Sequence, residues 1–218
     1  MYRVREQKTY RTWNELNQSE KDRLRWQSSI ANAIGEEMRF AIEDMFTYEL
    51  HEAVLPTGLN THWRLSHSQG DGCSVTGTIP ITLELLDRLT RRGDFPAIRR
   101  QLEKGGCFLT YGIGSTSMHY VHVQTMYVEL EDTDLEDIPD DDLEKLGENL
   151  LYYLRDVCSQ VEHKGYQIIS DMESDRYISE MCAGNSVLFD EYGREFWGLE
   201  QELETDTSRF TDLEMVAA

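Results

Sequence analysis

The chain has 218 residues and a formal net charge of −20. That length supports one large domain or two small ones, and 39% hydrophobic residues are enough for a core, which excludes wholesale disorder. The charge excludes direct binding of nucleic acid or an anionic membrane surface and favours basic proteins and cations. No apolar run approaches the roughly 20 residues of a membrane span. No apolar signal core follows Met1–Arg5, so the expected location is the cytoplasm.

Along the chain, Ser19-Glu20-Lys21-Asp22 has the form of a capped helix start, followed by a modest stripe of Leu24, Ile30, Ala33 and Ile34 that Gly35 breaks. Met38, Ile42, Met45 and Phe46 predict a second helix ahead of Pro56. From Thr61 the period changes to two. Trp63, Leu65 and His67 alternate with polar residues, Gln69-Gly70-Asp71-Gly72 forms a turn, and Cys73, Val75 and Gly77 continue beyond it, which predicts a hairpin. Thr82 to Thr90 reads as a helix, and a short one follows Asp94-Phe95-Pro96 and stops at Gly105-Gly106.

Cys107–Tyr111 reads as a strand, Gly112–Ser117 as a loop, and Met118–Val128 as a strand rich in β-branched and aromatic residues. Ten of the sixteen residues from Glu129 to Glu144 are Asp or Glu, and none is Lys or Arg. The stretch 129–142 is expected to be an acidic linker, with Asp140, Asp141 and Asp142 at a helix N-terminus, where negative charge is favoured. Leu143, Leu146, Leu150, Leu154, Val157 and Val161 then mark an amphipathic helix ending at Gly165. Another helix is expected from Asp175 to Ala183 behind Ser174, and a turn at Asp190–Gly193. The expected class is α+β: an antiparallel sheet with flanking helices around a single core, one domain over 1–198, and an acidic tail at 199–218. The leucine stripe over 143–161 serves a core or a homodimer interface equally well.

Cys73, Cys107, Cys158 and Cys182 lie at wide spacings with no CxxC pair or Cys-His cluster, so they are expected to be free thiols. No metal ligand set, cofactor motif or catalytic residue is assigned. Gly112-Ile113-Gly114-Ser115 lacks the lysine of a nucleotide-binding loop, and no nucleophile elbow is present. The sharpest local feature is Ser68-Gln69-Gly70-Asp71-Gly72. Asp71 there has the chemistry of a cation ligand and the glycine amides that of an anion cradle, set against the plainer reading of a permissive turn. His67 and Asp71, brought together in space with His119 or His122, have the chemistry of an acid–base pair. His119 and His122 fall on opposite faces of an ideal strand and cannot easily share a metal.

Ser66–Gly77, SHSQGDGCSVTG, resembles the hallmark segment of a widespread family of small phage and prophage proteins, a segment close to SGF-aromatic-SQGDGASFTG. Leu154–Gly193 is similar to the family's C-terminal pattern, in which a helix leads into a tyrosine-containing stretch. Ser19–Trp26 matches its early Lys-Glu/Asp-rich helix. The likeness is patchy and runs from residue 19 to 193. His67 and Cys73 depart from it, and the glycine-rich loop before Met118 is longer. Members are often labelled antitoxins of toxin–antitoxin systems. The resemblance implies a phage accessory protein acting in the bacterial host cytoplasm and carries over no catalytic residues.

Together these readings favour a non-enzymatic protein that binds and inhibits a basic host protein by charge mimicry, in the manner of a DNA mimic. A nucleic-acid-binding component of an antiviral defence system is a target of that kind, which makes the expected role anti-CRISPR-like. The binding residues are expected to be Glu129, Glu131, Asp132, Asp134, Glu136, Asp137, Asp140, Asp141 and Asp142. The alternatives are an antitoxin that neutralises a basic toxin, a hydrolase built on His67, Asp71 and His119, and a protein that sequesters a signalling nucleotide. The last needs phosphate contacts from Arg64, Arg91, Arg92 or Arg99.

Overall fold

Six apolar residues spaced three and four apart, Leu143 to Val161, build the longest element, and all six are buried. In the computed structural model, which describes residues 10–66, 71–90, 93–117 and 121–197, they lie on helix α5, Asp140–Met172. The other helices are α1 (Gln18–Gln27), α2 (Ser29–Glu52), α3 (Leu83–Leu89), α4 (Pro96–Lys104) and α6 (Asp175–Gly184). Strands β1 (Asn60–Arg64), β2 (Gly72–Pro80), β3 (Leu109–Ser115) and β4 (Met126–Thr133) form one antiparallel sheet in the order β1-β2-β3-β4. A small second sheet pairs β5 (Leu188–Phe189) with β6 (Glu195–Phe196). This is the α+β class that the residue pattern predicts.

The chain divides into two compact units, one of Met1–Phe40 with Ile169–Ala218 and one of Ala41–Ile168. The sequence had suggested one domain over 1–198. In the first unit Trp13, Leu16, Leu24, Ile30, Ile34, Ile178 and Phe189 belong to a buried cluster. Its α1 begins two residues earlier than the Ser19 cap expected. The Asn17 side chain accepts from the Glu20 N–H, and the Glu20 carboxylate accepts from the Asn17 N–H at 2.9 Å, a reciprocal cap. Arg11 grips the same carboxylate at 2.7 Å and donates to the Asp190 carbonyl at 2.9 Å. That guanidinium, with the Asn17 N–H, holds the Glu20 carboxyl below its ordinary range. Gly35 does not break the helix: α2 runs through it.

The second unit carries the four-stranded sheet. Leu109, Tyr111 and Ile113 alternate inward from β3, while Gly112 and Gly114 face outward. The expected Gly112–Ser117 loop is thus corrected, since Gly112–Ser115 complete β3. Gly114 lets the Tyr127 ring of β4 lie over it, where a Cβ would stand 2.2 Å from that ring.

The Tyr111 hydroxyl donates to the Leu143 carbonyl of α5 at 2.5 Å, and its ring closes on Gly147, where a Cβ would meet it at 3.0 Å. Gly165 is a second such contact: a Cβ there would lie 2.4 Å from Leu65 Cδ1. The two glycines are eighteen residues apart, about five helical turns, so both lie on one face of α5. Gly165 was expected to end the helix, but α5 continues to Met172 because the missing side chain lets Leu65 in.

The strand expected at Met118–Val128 is displaced toward the C-terminus. Residues 118–120 lie outside the described residues. Val123–Thr125 form a 3₁₀ turn, and β4 begins only at Met126. Arg155 of α5 explains the turn: its Nε donates to the Val123 carbonyl at 3.0 Å and its NH2 to the Met126 carbonyl at 2.9 Å. Two carbonyls turned toward one guanidinium do not fit a straight ladder. The α4 start also shifts, with Phe95 at the N-cap and Pro96 first in the helix.

Gly147→Leu is expected to lower the stability of the second unit by about 1–3 kcal/mol through overpacking against Tyr111. The helix-propensity gain of up to about 1 kcal/mol does not offset this. Gly35→Ala, which meets nothing within 4 Å, is expected to raise stability by up to about 1 kcal/mol. Tyr111→Phe removes the hydroxyl bond but leaves the Leu143 carbonyl its helical partner within α5, and is expected to cost about 0.5–1.5 kcal/mol. Urea denaturation of the three variants checks all three signs.

Candidate functional site

The acidic run is not a linker. Its first five residues, 129–133, continue β4; 134–139 connect; and Asp140 opens α5. A strand forms here because Val128 and Leu130 pair with Ile113 and Tyr111 on the inward face, while an edge position leaves the carboxylates in water. In the register, Tyr111 faces Leu130 and Thr110 faces Asp132, so Glu131 is the extra residue of a β-bulge.

The expected binding residues separate into groups. Asp140 lines one groove between β4 and α5, together with Glu144 and Glu148; Glu129 borders it from β4, its side chain on the outward face over Gly112. The groove measures about 450 Å³, and Val128, Leu130 and Leu143 supply apolar surface in it. Among its lining residues there is no cation. Glu131 accepts from the Thr78 hydroxyl at 2.8 Å, and Asp132 is exposed. Asp134 turns back to accept from the Phe108 N–H at 2.5 Å, so its work is to close the β3–β4 end. Glu136 and Asp137 are exposed in the connection, with Asp137 at φ 58. Asp141 and Asp142 follow Asp140 in the first turn of α5, where the helix dipole favours them, but neither lines the groove. None of these nine carboxylates forms an ion pair among the described residues.

Sequence reasoning missed Glu148 and gave Glu144 no role. The signal was present, since Asp140, Glu144 and Glu148 are four apart and therefore share a helix face. It also missed Tyr127 and Leu130, 40% and 44% exposed on an acidic strand.

Of the QGDG candidates, Ser68, Gln69, Gly70 and His119 lie outside the described residues, as does His67. Asp71 and Gly72 have structural work. Asp71 is only 7% exposed; its Oδ2 accepts from the Ser66 N–H at 2.8 Å and the Ser66 hydroxyl at 2.7 Å, and Arg64 Nε lies 3.3 Å from its Oδ1. A carboxylate so used ties the two arms of the hairpin together. Gly72 sits at φ 154, and a Cβ there would fall 2.8 Å from the Val121 carbonyl oxygen. The hairpin forms as expected, with a longer connection than Gln69–Gly72: Arg64 pairs with Gly72, and residues 65–71 lie between them.

Several of the remaining candidate residues are engaged within the protein. Arg64 and Arg99, two of the four candidate phosphate contacts, are engaged with Asp71 and Asp87; Arg91 and Arg92 lie outside the described residues. His122 Nδ1 accepts from the Gln124 N–H. Cys73, Cys158 and Cys182 are buried, and burial pushes each thiol up to about 12, which keeps it protonated and unreactive at neutral pH. No group of three His, Cys, Asp or Glu suited to a metal occurs among the described residues. Among them, no helix is long and apolar enough to cross a membrane.

Comparison with protein-family models, with curated proteins and with solved structures gives no match.

Asp71→Ala is expected to cost about 1.5–3 kcal/mol by releasing charge-assisted hydrogen bonds, with faster amide exchange in β1 and β2.

Proposed function

We propose that this chain is a phage-encoded, non-enzymatic inhibitor that binds a basic host protein in the bacterial cytoplasm through the β4–α5 face. Its carboxylates would occupy a groove that the host protein otherwise fills with phosphate, as in a nucleic-acid-binding component of an antiviral defence system. One observation carries this reading: Asp140, Glu144 and Glu148 converge on a single apolar-floored groove with no cation among its lining residues, and Glu129 adds a carboxylate on the outward face of the same edge strand. Like charges brought together cost free energy in the isolated protein, and a cationic partner recovers it. Antitoxin-like neutralisation, which the phage-family resemblance implies, uses the same face with a basic toxin as the partner. The polar use of Asp71 within its own loop and the engaged arginines favour binding by this face over chemistry or nucleotide capture.

The test compares two variants of equal net charge in capture from a bacterial lysate at low and moderate salt. One carries Glu129→Lys, Asp140→Lys, Glu144→Lys and Glu148→Lys. The control carries Glu36→Lys, Asp44→Lys, Glu103→Lys and Asp171→Lys, all exposed positions outside the groove. The expected result is a basic protein released by salt, captured by the control and reduced about tenfold or more for the groove variant. Equal capture by both variants would overturn the reading.

A further inference from the structure

The sheet order leaves β4 with a neighbour on one side only. Among the described residues, no backbone hydrogen bond outside the β3 ladder reaches 127–133. Alternate N–H and C=O groups of this strand therefore face outward unpaired, a ready template for another strand. Edges of this kind are ordinarily covered, shortened or guarded by charge. Here the guard is of one sign.

We propose that the partner enters as an extended basic segment that pairs with the open edge of β4 along Tyr127–Leu130 and adds a fifth strand to the sheet. This rests on the acidic face being the binding face, and it specifies the form of the ligand. Strand addition supplies main-chain hydrogen bonds, and alternate side chains give the selectivity. On the outward face an added residue stands beside Glu129 and Tyr127, a place for Lys or Arg. On the inward face its neighbours stand beside Val128 and Leu130, above the groove of about 450 Å³ that Leu143 and Gly147 help to floor. Leu130 is 44% exposed because α5 does not reach across the edge, so a medium aliphatic side chain has apolar surface to cover.

Two further features set the limits of the pairing. The bulge at Glu131 interrupts the pleat, so the added strand stops at Leu130. A second copy of this chain is disfavoured as the occupant, because two β4 edges side by side would set Glu129, Glu131 and Asp132 against the same carboxylates.

The experiment uses a labelled, end-capped octapeptide of alternating Lys and Val, and two isomers N-methylated on every Lys or on every Val. All three have the same side chains and charge. In a strand, the amides of alternate residues face opposite edges, so one isomer blocks the edge that meets β4 and the other does not. The expected result by fluorescence anisotropy is that the parent and one isomer bind alike, while the other isomer binds at least about tenfold more weakly. The four-lysine groove variant is expected to lose all three. Equal binding of all three peptides to the wild-type protein would overturn strand addition and leave the acidic face standing. Binding by the groove variant equal to wild type, or no binding of any peptide to wild type, would overturn both.

Discussion

The contact between Tyr111 and α5 sets the geometry on which the rest of the second unit depends. A phenol buried in β3 reaches the carbonyl of Leu143, and its ring lies where Gly147 offers no side chain. This anchors the first turns of α5 on the inward face of the sheet. Gly165, against Leu65, does the same near the other end. A long helix held at two points of one face is fixed in rotation as well as in distance. The rotation that buries Leu146, Leu150 and Leu154 also turns Asp140, Glu144 and Glu148 toward β4. Core packing and the acidic groove thus follow from the same choice of small residues.

The cation count shows how the charge is tolerated. Arg155, close to the groove in sequence, spends its guanidinium on the carbonyls of Val123 and Met126 and shapes the entry to β4. Arg64, Arg99 and Lys164 serve Asp71, Asp87 and Glu49. The carboxylates of 129–142 have no such neighbours among the described residues and stay in water, where burial imposes no desolvation penalty. Exposure at a sheet edge is what makes so acidic a strand compatible with folding.

Much of this was legible in the residues. The 3–4 periodicity from Leu143, the Ser174 cap, the change to period two near Thr61 and the turn at Asp190 all reflect local chemistry, and each corresponds to an element found. The errors arose where a distant partner decides. Gly165 has the sequence context of a helix stop but meets Leu65, one hundred residues away in the chain. Val121–Thr125 has strand composition, yet Arg155 bends it into a turn. The acidic run has the composition of a solvated linker, and only pairing with β3 makes it a strand. Propensity carries no information about who stands opposite. At the site, the helix carboxylates were recoverable from their spacing, whereas the exposed Leu130 beside them was not.

The bulge at Glu131 gives the strand a kind of elasticity in length. Before it, Tyr127 and Glu129 point outward; after it, Asp132 lies opposite Thr110 and points outward again. A regular strand carrying Glu129-Leu130-Glu131-Asp132 would have driven Asp132 toward the core. The bulge absorbs one surplus residue without reversing any later side chain. The local sequence is therefore free to vary by one acidic residue while Thr133 and the closing Asp134 keep their places. Negative charge at this edge is a quantity that insertion or deletion can adjust, independently of the hydrophobic pattern that holds the sheet.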